Sequence, residues 1–272
     1  MLLWNGHGLR NFATAEPLLM LPAVAVFADL GFQAARFPRI RIPDAALANG
    51  FFLTVILWPT TVSVTLVAVA VVTVGLRHAL RIASHPIFNP AAAGVLVAAT
   101  VFALPQPWHV GATWTDSALV GVLGLILWSK AWPTWRIWGA YFVANAVAVA
   151  LIADLLAGGR AVAGVLETSV FAATPIFFGL FMVTEPRTAP TARWGMWLFG
   201  GLVGSAAAVL PAVFAELPAY SALGVLAPYL ALFVGNVVTA ALPSARGVHR
   251  PTPRPAQGTG PRRAATPGSE PS

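Results

Sequence analysis

The chain has 272 residues, of which 58% are hydrophobic and only 9% charged, with a mean hydropathy of +0.77. Soluble domains carry about 25% charged residues, so this composition excludes an ordinary soluble enzyme and describes a protein that crosses a membrane several times. No cysteine is present, which rules out disulfides, thiolate metal sites, iron–sulfur clusters and cysteine nucleophiles within the chain.

The net charge of +7 does not point to nucleic acid. The basic residues lie in short connections between apolar stretches and in the C-terminal tail, where the bias of cytoplasmic loops toward Lys and Arg places them. Residues 1–16 read as an N-terminal segment outside the membrane. Arg10 and Glu16 precede the first apolar run and no cleavage site follows it, so a cleaved signal peptide is not expected.

A helix needs about 17–25 apolar residues to cross a bilayer. Nine stretches reach or approach that length, at 17–35, 44–58, 60–76, 89–104, 116–130, 137–156, 163–183, 195–214 and 220–242. The second is short and runs into Trp58-Pro59; the fourth is short and begins at Asn89-Pro90. The expected fold is therefore all-α and polytopic, a transmembrane domain over 17–242 with about nine helices. Residues 243–272 form a Pro-, Gly-, Ser- and Arg-rich tail whose composition cannot bury enough apolar surface to fold.

Arg36, Arg39 and Arg41 follow the first span, and Arg77 and Arg81 the third. Lys130 and Arg136 follow the fifth, Arg187 and Arg193 the seventh, and five arginines from Arg246 to Arg263 the ninth. The intervening connections hold only Arg160. This alternation predicts an N-terminus outside and a cytoplasmic C-terminus in the plasma (inner) membrane. Trp108, Trp114, Trp128, Trp132, Trp135, Trp194 and Trp197 fall at span ends, as an interfacial aromatic belt requires.

Polar groups inside spans are functional candidates by default. They are Asp29, Asn49, Asn145, Glu167 and Asn236. Asp29, in mid-span, is the candidate for an ion or proton pathway; the asparagines also read as bonds between helices. The histidines His7, His78, His85, His109 and His249 lie in loops, at span ends or in the tail, so paired axial ligands for a membrane haem are not expected. No metal-ligand cluster and no Gly-rich NAD(P)H loop is present, so no residue is assigned a catalytic role.

Two phrases stand out. Ser84-His85-Pro86-Ile87-Phe88-Asn89-Pro90-Ala91-Ala92-Ala93-Gly94 pairs a helix-capping Asn with Pro at the first helical position, followed by a smooth face of small residues. Phe181-Met182-Val183-Thr184-Glu185-Pro186-Arg187-Thr188-Ala189-Pro190-Thr191 stops a helix with two prolines and carries three hydroxyls. Two such breaks in corresponding places of two halves point to a binding site between the halves.

These phrases resemble the signatures of the RnfD/NqrB family, the membrane subunits of ion-translocating NADH:ferredoxin and NADH:quinone oxidoreductases. Asp44–Phe51, Trp108–Gly111 and Ala227–Asn236 are similar to further stretches of that family, so the resemblance covers about residues 20–242. It implies two pseudo-repeated halves, with one span fewer than the family's usual ten. It also implies a membrane subunit of a flavin-dependent electron transport complex. Electrons would pass between a cytoplasmic flavin or iron–sulfur reductase partner and a membrane acceptor, alongside other membrane subunits and lipid, with ion movement as a coupled step.

On that reading FMN or riboflavin is held non-covalently by Asn89, Pro90, Gly94, Thr184, Glu185, Pro186, Thr188 and Thr191. The Gly111-Ala112-Thr113 run is a weak match to the family's covalent-flavin motif, which makes Thr113 a second candidate; Pro107 stands where that motif has Asp. The alternative is the same fold used as a channel, carrier or scaffold without a redox centre, as in the related membrane proteins of enediyne biosynthetic clusters.

Overall fold

The computed structural model describes residues 15–38, 40–57, 63–82, 85–86, 88–104, 122, 134–157, 162–185, 188–217 and 223–242. Among the described residues the regular structure is helical apart from one hairpin of two-residue strands. Helix α1 (Ala15–Arg36) is followed by α2 (Asp44–Leu57) and α3 (Val64–Ala79). Strands β1 (Arg81–Ile82) and β2 (His85–Pro86) pair antiparallel and turn the chain into α4 (Pro90–Thr100). Then come α5 (Trp135–Ala157), α6 (Val162–Ser169), α7 (Ala173–Phe177), a π turn (Phe178–Met182), α8 (Arg193–Ala215) and α9 (Ala227–Ala241).

Four helical segments, Leu19–Arg36, Trp135–Leu156, Arg193–Ala215 and Leu223–Ala241, are long and apolar enough to cross a membrane. The protein is a membrane protein, and its outer faces show it. Val143, Val147, Leu151 and Leu155 repeat every fourth residue along α5 and are all exposed, the apolar stripe that lipid solvates. Trp135 and Trp197 meet edge to face at 5.4 Å in the first turns of α5 and α8, with the Arg136 guanidinium 5.2 Å from the Trp135 ring.

The expected spans map onto these helices with four differences; the ninth is α-helical only from Ala227, not 220, with Pro228 in its first turn. The third helix starts at Val64, not 60, because the Ser63 hydroxyl accepts the Leu66 N–H and so fixes the first turn there. The fourth ends at Thr100, not 104. Ala103 takes a positive φ of 52°, and the Leu104 N–H turns back to the Ala98 carbonyl at 2.9 Å. The seventh is not one continuous rod. It breaks at Val170–Ala172 between α6 and α7, and Pro175, which has no N–H to bond Phe171, lies in the restart. The fifth expected span, 116–130, lies outside the described residues except Val122, as do the N-terminal segment 1–14 and the tail 243–272.

α5 and α8 share the most extensive contact, and α8 packs in turn on α9; α1 packs on α2 and α3. Helix α4 touches α2, α3 and α9, and so joins the two groups. At 1.5 Å per residue its eleven residues extend about 16 Å, half the hydrocarbon thickness, so the helical part of this segment does not cross a bilayer by itself. Pro90, Ala91, Ala92, Gly94, Val95 and Ala98 are all buried. Close approach depends on missing side chains. A Cβ on Gly94 would overlap the Thr73 hydroxyl of α3, and one on Gly204 would overlap the Tyr141 carbonyl of α5.

Candidate functional site: a buried carboxylate cluster and a shared helix cap

Asp29 lies in the second half of α1 and is 1% exposed. A carboxylate taken out of water needs hydrogen-bond donors around it, and three side chains supply them. One turn further along α1, Gln33 Nε2 donates to Oδ2 at 2.7 Å. From α3, His78 Nε2 lies 2.6 Å from Oδ1, and Arg77 Nη1 lies 3.5 Å from the same atom.

The cluster is fastened on its far side too. Gln33 Oε1 accepts the Arg41 N–H at 2.7 Å, tying the carboxylate to the α1–α2 connection. Arg36 Nη1 donates to the His78 carbonyl at 2.7 Å, one of the C-terminal carbonyls of α3 that no helical N–H reaches. Phe32 stacks on the His78 ring at 5.5 Å. His78 Nδ1 is buried and has no hydrogen-bond partner among the described residues.

The second arrangement is a joint between the two motif phrases. Asn89 is 2% exposed and precedes α4 in an extended conformation. Its Oδ1 accepts the Ala92 N–H at 3.1 Å, the ordinary N-cap bond. Its Nδ2 donates to the Met182 carbonyl at 3.0 Å, at the end of the π turn. One amide thus closes the start of one helix and the end of another. Only a side chain with a donor and an acceptor on one planar head does both.

Around this joint Pro90 is buried at the first helical position, and Phe88 stacks on Phe233 of α9 at 4.3 Å. The Thr184 hydroxyl donates back to the Leu180 carbonyl. Thr188 is buried and donates to Glu185 Oε2 at 3.2 Å, while the Ala189 N–H bonds the Glu185 carbonyl at 2.9 Å. Thr191 is exposed; Pro186 and Thr113 lie outside the described residues.

A flavin was expected here, and the joint can be tested for it. Both polar atoms of Asn89 bond protein, as do the Thr184 and Thr188 hydroxyls, and Gly94 is filled by Thr73. The cavity between Leu76, Arg77, Leu80, Phe88, Pro90 and Ala93 holds about 10 Å³, room for one water molecule. Among the described residues this is a closed joint, and a three-ring flavin does not fit it.

Residues 105–239 match the model of the NQR2, RnfD, RnfE family. The chain belongs to this family. The match contains Thr184–Thr191 and begins after Asn89, so the first phrase joins the second through the Asn89–Met182 bond. No curated protein matches the chain.

Sequence reasoning singled out Asp29 and Asn89 but missed His78, Gln33 and Arg77 as partners. The available signal was that a carboxylate inside a span needs a donor at its own depth, and the last turn of α3 carries two cationic residue types.

Proposed function

We propose that the protein is an integral membrane subunit of a flavin-dependent, Rnf/Nqr-type electron transport complex. It passes electrons between a cytoplasmic reductase partner and a membrane acceptor, with ion movement at Asp29. The family match over residues 105–239, taken with the second motif phrase inside it, carries this reading. In the proposed topology nine spans form two pseudo-repeated halves in the plasma membrane, with the N-terminus outside and the C-terminus in the cytoplasm.

The joint at Asn89 gives Asn89, Pro90, Gly94, Thr184 and Thr188 a scaffolding part in this reading: they hold α4 against the π turn. The flavin is then non-covalent and contacts surfaces beyond the joint's committed atoms, or is esterified at Thr113. One observation favours the second reading, a carrier or scaffold without a redox centre: the closed packing of the joint itself.

The absorption spectrum of the detergent-purified complex, co-expressed with its neighbouring genes, decides between them. A flavin band released to the supernatant on acid precipitation supports non-covalent flavin. A band that stays in the pellet and disappears in Thr113→Ala supports the ester. No flavin in an intact complex overturns the redox reading in favour of the scaffold.

A further inference from the structure

The Asp29 cluster joins α1 to α3 and to the α1–α2 connection, and it leaves one ring nitrogen over. An ionised carboxylate accepts hydrogen bonds only, and its two oxygens have room for Gln33, Arg77 and His78 together. With Asp29 ionised, the hydrogen between the two side chains belongs to His78 Nε2, and a neutral ring then carries its lone pair on Nδ1. That atom is buried in a side chain 5% exposed overall and bonds nothing among the described residues. A purely mechanical tie between the helices would gain nothing from a histidine with an idle basic nitrogen.

We propose that Asp29 and His78 form a proton-binding pair: an arriving proton is held on His78 Nδ1, and Asp29 balances the resulting imidazolium across the Nε2–H bond at 2.6 Å. The occupant is small. Arg77, which touches Asp29, also lines the cavity of about 10 Å³ beside α4. Among the described residues the charged groups around the pair are Arg36 on α1, Arg41 in the α1–α2 connection, Arg77 on α3 and Arg81 just beyond it. Of the elements packed nearby, α2 carries only Asp44 and α4 carries no charge. The proposal does not depend on electron transport, so the flavin result leaves it standing or falling on its own.

The test is solid-state NMR of the full-length protein in lipid bilayers, with ¹⁵N-labelled histidine, recorded between about pH 5 and about pH 8. His78→Gln identifies the ring among the five histidines. The expected result is a His78 Nε2 that stays protonated throughout and an Nδ1 that gains its proton as pH falls. In Asp29→Asn the ring at the alkaline end shows both neutral tautomers, because the amide can either accept a hydrogen bond from Nε2 or donate one to it. An Nδ1 that stays bare across the whole range overturns the proposal, as does an alkaline ring protonated on Nδ1 alone. If Asp29→Asn does not fold, the wild-type titration decides by itself.

Discussion

Asn89 supports a quantitative test, because its two bonds can be removed one at a time. Replacement by Ala removes the cap on Ala92 and leaves the Met182 carbonyl without its donor. Loss of an N-cap costs about 1 kcal/mol, and a hydrogen bond between membrane helices averages about 0.6 and reaches about 1.7 kcal/mol. The expected loss for Asn89→Ala is therefore about 2 kcal/mol. Asn89→Ser keeps an oxygen that can cap Ala92 but is too short to reach Met182, so it should lose about 1 kcal/mol. Asn89→Asp keeps the cap and sets an acceptor against the Met182 carbonyl, so it should fall below Ser. Reversible unfolding in mixed micelles, followed by tryptophan fluorescence, reads all three. A serine variant as stable as the wild type would refute the shared-cap argument.

Gly94→Ala pushes a methyl group into Thr73 and should destabilise by about 1–3 kcal/mol, with part of the loss recovered in the double variant with Thr73→Ala. Gly204→Ala meets the Tyr141 backbone, which no side-chain change relieves, so it should lower stability further and resist rescue in the same assay. Asn145 Nδ2 donates to the Gly204 carbonyl at 3.2 Å, and Asn145→Ala should cost about 0.6 kcal/mol. The chain has no cysteine of its own. Single cysteines at Ala45 and Ala192 should thus react with a membrane-impermeant thiol reagent only from the cytoplasmic side; labelling from outside would overturn the proposed orientation.

Much of the helical plan was legible because it follows from local chemistry. Asn-Pro before a run of small residues announced the start of α4, and the capping bond from Asn89 to Ala92 is there. Apolar length located α1, α5, α8 and α9 to within a few residues. Apolar length could not reveal where an apolar run stops being helical. Val101–Leu104 continues the hydrophobic pattern of α4, yet the positive φ of Ala103 ends it. Partnerships across the chain were equally hidden: Asn89 and Met182 are 93 residues apart, and Asp29 and His78 are 49 apart. Nothing in either local sequence names its partner; the packing of α1 on α3 brings Asp29 to His78, and the meeting of the start of α4 with the π turn brings Asn89 to Met182.

The π turn at Phe178–Met182, marked by the bond from the Val183 N–H to the Phe178 carbonyl, amounts to one surplus residue wound into a helix. It works as a shim. An α-helix advances about 100° per residue, so deleting one residue of Phe178–Phe181 would close the wider turn to ordinary α winding and redirect the Met182 carbonyl relative to α7. The carbonyl that Asn89 meets would then face a different neighbour, while hydropathy and overall length would stay almost the same. The meeting of the two phrases thus rests on a count of residues, and an otherwise silent deletion there would separate them as surely as a substitution at Asn89.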